Sequence, residues 1–343
     1  MNFKGKKLLI LGANPETVSL VKKCNELGIV SYVCDYNHNS MSKKYATFPC
    51  DIDASNISQL SDLIIKEKID GILCGVAEAL LPTYYELCST FKMPCFGDKF
   101  LFNLFSSKEK FKKLCMDNDV PVVDEYLLDD LVSAKNSKKY YPVIVKPTDS
   151  CSSRGITICN DYQDLLHGVE NSVKFSKTNS YLIEKYMNGL EAVVYYGFQN
   201  GNVSLLAMCD RYTNKEQKNV AQLPTAYIFP SRFLKKYLNN NNEKTKLMLK
   251  KANIKNGFMF IQSFVDDGII KFYESGYRLN GAQEHYIVSK ATGIDAKECL
   301  INYALSGKEA NYKISEKANP FINGKYGCKL SPLVKTGKIA KIL

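Results

Sequence analysis

Residues 141–155 read YPVIVKPTDSCSSRG, and this stretch does most to decide the fold. Its first six residues predict a buried β-strand that ends on Lys146. A lysine at the end of a buried strand is costly unless an anion pairs with it. The loop that follows offers hydroxyls, small side chains and backbone N–H groups, which suit a phosphate. On its own, the stretch fits a phosphate cradle and an ordinary hairpin with a solvated lysine equally well.

Two further stretches add polar groups at strand ends. Residues 181–191, YLIEKYMNGLE, predict a strand whose backbone can bind the edge of an adenine, with carboxylates near a ribose. Residues 272–278, FYESGYR, place Glu274 at a strand end, four residues before Arg278, and Gln262 lies opposite on the same predicted hairpin. An acid for Mg²⁺ and an arginine for phosphate at one strand end are what phosphoryl transfer needs.

Taken in this order, the stretches resemble the ATP-grasp superfamily, in particular its carbamoyl-phosphate-synthase-like and biotin-carboxylase-like branch, over nearly the whole chain. The resemblance implies that the cofactors are ATP and Mg²⁺. By that match Lys146 and Lys108 would contact ATP phosphates or the adenine region, and Arg278 would stabilise the transferring phosphoryl group, so Lys146 and Arg278 are the catalytic candidates. Glu274 and Gln262 would hold the metal. The other nucleotide contacts that the resemblance implies are Ser152, Ser153, Arg154, Gly155, Glu184, Lys185, Tyr186, Met187 and Glu191.

The chain departs from the family pattern in three ways. The loop over the phosphates is serine-rich where the family has more glycine. The family's first metal carboxylate falls on the neutral Gln262, and its metal-binding asparagine falls on Gly276. Glu274 is then the only anionic metal ligand that the sequence identifies.

Three more residues are substrate candidates. Arg211 lies on a strand that should flank the cleft, where it would either grip the substrate or pair with Asp210. Glu284 and His285 stand at a presumed helix start. They would either contact the second substrate or act as a capping acid and a packed histidine.

The fold class expected is α/β, an ATP-grasp fold with an N-terminal Rossmann-like domain that precedes it and two α+β lobes that clasp ATP. The predicted division is an N-terminal α/β domain (1–97), linking helices with the small lobe (98–190), and the large lobe with a short C-terminal extension (191–343). In the first part, apolar runs at 7–12, 29–35 and 71–75 alternate with helical patterns, which favours a parallel sheet covered on both faces. Ser55 is the predicted N-cap of a helix over 57–69.

Composition excludes several classes of protein. The net charge is +11, but only four of the 46 basic residues are arginines and the lysines are spread along the chain, so a general lysine bias explains the charge better than a nucleic-acid surface. Twelve dispersed cysteines and three histidines form no zinc or disulfide pattern and indicate reduced thiols. The sequence predicts neither a signal peptide nor a membrane span, and therefore a cytoplasmic protein.

The function expected is an ATP-dependent ligase that activates a small-molecule carboxylate as an acyl phosphate for attack by an amine, with a homodimer as one option for its assembly. The main rival is a nucleotide-binding protein with weak or no ligase activity. A second rival is a Rossmann-type oxidoreductase, suggested by the turn at 12–16 and by Asp35. The turn has one glycine where the dinucleotide fingerprint has three, which speaks against that rival.

Overall fold

The computed structural model describes residues 2–134, 138–150, 154–187, 189–214 and 223–332. It contains one parallel and two antiparallel sheets with helices around them, which confirms the predicted α/β class. None of the helices in these ranges is long and apolar enough to cross a membrane. The cysteines in the same ranges are all free thiols and most are buried, as the dispersed pattern predicts.

The N-terminal part is built on a four-stranded parallel sheet with the strand order β3-β2-β1-β4. The apolar residues of the first strand have no solvent exposure, which explains why the strand reads as one continuous hydrophobic run. The elements are β1 (Lys7–Leu11), α1 (Val18–Glu26), β2 (Val30–Cys34), β3 (Phe48–Cys50), α2 (Ile57–Glu67), β4 (Gly71–Cys74) and α3 (Leu81–Thr90).

Two local details of this part differ from the simplest interpretation of its sequence. The predicted N-cap at Ser55 is wrong, because the side chain of Asn56 accepts the hydrogen bond from the Gln59 N–H (3.1 Å) that caps α2. The carboxylate of Asp35 accepts a hydrogen bond from the backbone N–H of Ala13 (3.0 Å). Asp35 therefore closes the turn after β1 and is not left open for a ribose.

Two helices lead into a small lobe with its own antiparallel sheet, in the order β5-β8-β6-β7. A separate hydrophobic cluster that includes Val143, Val145 and Ile183 holds this lobe together. The elements are α4 (Lys99–Ser106), α5 (Lys108–Met116), β5 (Glu125–Tyr126), α6 (Leu128–Ser133), β6 (Val143–Pro147), β7 (Thr157–Cys159), α7 (Tyr162–Phe175) and β8 (Tyr181–Lys185).

The large lobe contains a six-stranded antiparallel sheet in the order β13-β12-β9-β10-β11-β14. The predicted hairpin of β12 with β13 is present, and a second hairpin pairs β9 with β10. Asn241 separates α8 from α9. The elements are β9 (Leu190–Gln199), β10 (Asn202–Thr213), β11 (Pro224–Phe229), α8 (Leu234–Asn240), α9 (Asn242–Lys251), β12 (Gly257–Asp266), β13 (Ile269–Gly276), α10 (His285–Thr292), α11 (Ala296–Ser306), α12 (Ile314–Lys317) and β14 (Gly327–Leu330).

The N-terminal sheet packs closely against the large lobe. A Cβ added to Gly71 in β4 would lie 2.4 Å from the backbone oxygen of Ala304 in α11, so the two elements touch through their backbones. The buried hydroxyl of Tyr277 donates to the backbone oxygen of Phe96 (2.6 Å) and also contacts the backbone oxygen of Asn256. The Gly71 contact lies at the amino end of β4. At the carboxyl end, Glu78, which follows β4, pairs with Arg278 after β13 at 3.0 Å, and the candidate site lies there.

Candidate active site

Lys146 lies where the sequence predicts, at the end of β6, and its side chain is almost completely buried. Its ammonium lies 2.5 Å from Oε2 of Glu184 on the neighbouring strand β8, and 5.8 Å from the ring centre of Tyr273 in the large lobe. Burial alone would raise the pKa of Glu184, but the charges of Lys146 and Lys112 outweigh it and hold the pKa below its usual value. Glu184 is therefore an ionised, buried carboxylate.

The second partner of Glu184 is Lys112, which the sequence does not single out. The Lys112 ammonium lies 2.8 Å from Oε1 of Glu184 and 2.9 Å from Oε2 of Glu125. Two lysines thus bind the two oxygens of one carboxylate, where the small lobe meets α5.

The predicted phosphate-covering loop starts at the end of β6. Lys108, the first residue of α5, donates to the backbone oxygen of Ser150 at 2.9 Å, which ties the helix to the loop. Ser152 and Ser153 lie outside the described residues, and Arg154 is exposed. Gly155 has a φ of +76°, and an added Cβ would lie 2.7 Å from Pro147 and Phe175, so a side chain does not fit there.

The strand predicted to carry the adenine edge is β8 and the residues after it. Lys185 points to solvent and pairs with Asp266 at 3.1 Å, whereas Met187 is buried. The backbone N–H of Tyr186 donates to the Pro142 oxygen at 3.1 Å. The backbone of Lys185 and Tyr186 therefore belongs to the sheet of the small lobe, and the Lys185 side chain is part of an ion pair between the lobes.

Tyr273 in β13 contacts both Glu191, a predicted nucleotide ligand, and Gln262, a predicted metal ligand. Its hydroxyl lies 2.6 Å from Oε1 of Gln262 and 3.1 Å from Oε2 of Glu191. Burial and the nearby charge of Glu191 raise the pKa of Tyr273 far above its usual value, so the hydroxyl keeps its proton.

Glu191 also forms an ion pair with Arg211. The predicted pairing of Arg211 with Asp210 is wrong, because the two side chains leave adjacent positions of β10 on opposite faces, and Asp210 pairs with Arg232 at 2.7 Å.

The metal and phosphoryl candidates lie at the end of the β12–β13 hairpin. Gln262 and Glu274 are directly opposite in the ladder, as predicted. Arg278 donates from Nε to Glu78 at 3.0 Å, and Glu78 follows β4 of the N-terminal sheet. Burial, together with the nearby Glu274, raises the pKa of Glu78, although the charge of Arg278 opposes the shift. Ligands of open parallel sheets bind outside the carboxyl ends of the strands, which is where Glu78 stands.

Gly276 does not leave room for a water, contrary to what its missing side chain suggests. The ring of Phe260, its partner in the β12–β13 ladder, fills that space. Arg278 also lies over this ring, 5.1 Å from its centre. In the described residues no group of three or more His, Cys, Asp or Glu side chains could hold a metal, so the metal candidates are one carboxylate and one amide.

Glu284 and His285 begin α10 and are buried. The Glu284 side chain makes no capping hydrogen bond to α10, which makes the predicted capping role wrong. Its Oε2, like both ring nitrogens of His285, has no hydrogen-bond partner among the described residues. Burial raises the pKa of Glu284 to about 7 and lowers the pKa of His285 to about 4. At pH 7 His285 is therefore neutral, whereas Glu284 is protonated in about half of the molecules.

Comparison with known proteins shows which protein family the chain resembles. Residues 139–283 match the model of the ATP-grasp domain. The chain is 25% identical to the small subunit of 2-oxoglutarate carboxylase from Hydrogenobacter thermophilus, over 90% of this chain and 68% of that protein. Residues 139–283 are therefore similar to ATP-grasp domains, as the sequence predicts, and over most of its length the chain is similar to a carboxylase subunit.

Solved structures show the same fold. The biotin carboxylase domain dimer of the Hydrogenobacter thermophilus 2-oxoglutarate carboxylase, in complex with MgADP, ADP and bicarbonate, superposes with a TM-score of 0.74 at 21% identity, over 91% of this chain and 72% of that one. The L-amino acid ligase of Bacillus licheniformis gives a TM-score of 0.67 at 19% identity, over 88% and 75%. The predicted ATP-grasp fold is confirmed.

Proposed function

We propose that this chain is an ATP-dependent ligase that joins a small-molecule carboxylate to an amine, with ATP and Mg²⁺ as its cofactors. The observation that carries the proposal is the arrangement of Arg278, Glu274 and Glu78 at the carboxyl end of the N-terminal sheet. Lys146 lies on the small lobe, 5.8 Å from the ring centre of Tyr273, and the Tyr273 hydroxyl lies 2.6 Å from Oε1 of Gln262. Tyr273 thus connects the Lys146 cation with the metal candidates, and Arg278 is the second cation for phosphates.

In the proposed reaction, a carboxylate oxygen attacks the γ-phosphorus of ATP. The bond from that phosphorus to the bridging oxygen breaks, and ADP leaves with the electron pair. The amine then attacks the carbonyl carbon of the acyl phosphate, phosphate leaves, and the nitrogen loses a proton. Arg278 and Lys146 would neutralise charge on the phosphoryl oxygens, since this chemistry depends on positioning and electrostatics.

The residues at the predicted metal site fit a minimal Mg²⁺ site. Mg²⁺ is commonly held by one or two carboxylates, with water and phosphate oxygens completing its octahedron. Glu274 would supply the carboxylate and Gln262 an amide oxygen, and the bound ion would shield the charge of the phosphates.

We also propose the three-part division of the chain at residues 97 and 190, and a cytoplasmic location. Because the solved carboxylase domain is a dimer, we propose a homodimer as the assembly.

The substrates are to be identified by a screen for phosphate release. The protein with Mg-ATP is mixed with pairs of a carboxylate and an amine drawn from amino acids and sugar acids. Bicarbonate is included in the screen as a carboxylate candidate because one similar solved structure contains it. A pair that releases phosphate only when both members are present supports the ligase.

The second candidate is a nucleotide-binding protein without ligase activity. Two observations favour it: the neutral Gln262 leaves Glu274 as the single anionic metal candidate, and the Phe260 ring leaves no room for a side-chain ligand at position 276. Binding of ATP with equal affinity in the presence and absence of Mg²⁺, and no phosphate release with any pair, would favour this candidate.

A further inference from the structure

Lys112 is a fully buried lysine whose ammonium lies next to two carboxylates. It lies in α5, one helical turn after Lys108, and its side chain is 1% exposed. A buried ammonium is stable only with close counter-charges. Its partners are Glu184, at 3% exposure, and Glu125, at 37%. Water screens Glu125, so the buried interaction is the one with Glu184.

Glu184 is shared between Lys112 and Lys146, one lysine on each carboxylate oxygen. With both lysines present, the buried trio carries one net positive charge. If Lys112 were neutral, Lys146 would be the only counter-charge of a carboxylate that water does not reach. Its ammonium would then be held by Glu184, because leaving would expose an unpaired buried anion.

We propose that Lys112 is a positioning residue, which neutralises Glu184 and so leaves the Lys146 ammonium able to bind a nucleotide phosphate. The inference rests on the proposed function, in which Lys146 contacts ATP. Lys108 and Lys112 lie on one face of α5, since residues four apart on a helix are neighbours. The same helix therefore touches the phosphate loop through Lys108 and the Glu184 strand through Lys112.

The test compares Lys112→Met with the wild type, using two ligands. ATP binding is measured by calorimetry, and binding of adenosine, which has no phosphates, by ligand-observed NMR. We expect Lys112→Met to weaken ATP binding about tenfold, the loss of one charge-assisted contact, and to leave adenosine binding within about twofold. Lys112→Arg, which keeps the charge, should restore ATP affinity to within about threefold of wild type. The matched control is Lys113→Met on the same helix, where the lysine is exposed.

Two results would overturn the proposal. One is unchanged ATP affinity in folded Lys112→Met, and the other is an equal loss for ATP and adenosine, which a purely structural role predicts. If Lys112→Met does not fold, Lys112→Gln replaces it with the same expected and contrary results, because glutamine can still donate to Glu184. A wild type that binds no ATP would refute the proposed function itself, which separates the two failures.

Discussion

Gly276 and Phe260 face each other across the β12–β13 ladder, and a Cβ on Gly276 would lie 2.4 Å from the Phe260 ring. This distance is shorter than any that real Cβ atoms adopt, so the ring and a side chain at position 276 exclude one another. An asparagine at position 276, which the ATP-grasp pattern has there, therefore does not fit while the ring keeps its place. Arg278 also lies over this ring, 5.1 Å from its centre.

The exclusion predicts strong coupling in a double-mutant cycle. Gly276→Ala should destabilise the protein by about 1–3 kcal/mol, the usual cost of overpacking. In the Phe260→Leu background, Gly276→Ala should lower the free energy of unfolding by clearly less, because the aromatic ring that the new Cβ would meet is absent. Urea unfolding of the four proteins gives the coupling energy, which should reach about 1 kcal/mol.

Gly281→Ala is the matched control for this cycle. Its added Cβ would lie 3.7 Å from the Glu16 side chain, an ordinary contact, so little change in stability is expected. Additive effects of the substitutions at positions 276 and 260 would contradict the exclusion.

Lys146→Ala should weaken ATP binding severely while the fold stays intact. Glu184 keeps Lys112 as a counter-ion in this variant, so no buried carboxylate is left unpaired. Loss of a charge-assisted contact is worth about 1.5–3 kcal/mol, or roughly 10- to 150-fold in affinity. Calorimetry measures the affinity and circular dichroism the fold, with the exposed Lys113→Ala as control. Unchanged ATP affinity in a folded Lys146→Ala protein would refute the assignment.

Glu284 predicts a pH-dependent stability. Its pKa rises from 4.5 in the unfolded chain to about 7 in the folded protein. A raised carboxyl pKa gives stability that is fully present below pH 4.5 and is lost as the pH rises through 7. Glu284→Gln should therefore be more stable than the wild type at pH 8, by up to about 3 kcal/mol, and should lose most of this advantage at pH 5.

Urea unfolding of both proteins at pH 5 and pH 8 checks this prediction. The opposite effect of His285, whose pKa is lowered to about 4, is common to both proteins and cancels in their difference. Glu316→Gln, at an exposed acid, is the matched control. An advantage of Glu284→Gln that is the same at both pH values would contradict the assigned burial of an ionisable carboxyl.

The sequence predicts those features of the site that depend on local pattern. Continuous apolar runs mark the parallel strands, and the hairpin that opposes Gln262 to Glu274 follows from the turn at Asp266-Asp267-Gly268. The order of the polar stretches identifies the fold because each follows a strand. What these patterns share is that a few neighbouring residues determine them.

The features that the sequence does not predict depend on contacts between distant residues. Lys112 stands in the run KEKFKK, which is typical of a solvated helix face, and its burial follows from Glu184, 72 positions later. The role of Glu78 requires Arg278, 200 positions away. Similarly, Gly276 suggests open space until the position of the Phe260 ring is known. These contacts between distant residues form only when the sheets pack together, so the sequence alone does not show them.

Removal of the Glu274 charge decides between the ligase and the nucleotide-binding protein. Glu274→Gln should abolish phosphoryl transfer, because it removes the only anionic metal candidate, while binding of metal-free ATP should change little. Gln262→Glu should tighten Mg²⁺ binding, since it adds a second carboxylate directly opposite Glu274. The Tyr273 hydroxyl, which lies 2.6 Å from Gln262, can donate equally well to the new carboxylate, so the fold should tolerate the change. Calorimetry with ATP in Mg²⁺ and in EDTA, followed by phosphate release with the active substrate pair, measures both effects. Full phosphate release by Glu274→Gln would show that the metal is held elsewhere, whereas no Mg²⁺ dependence and no phosphate release in the wild type would refute the ligase.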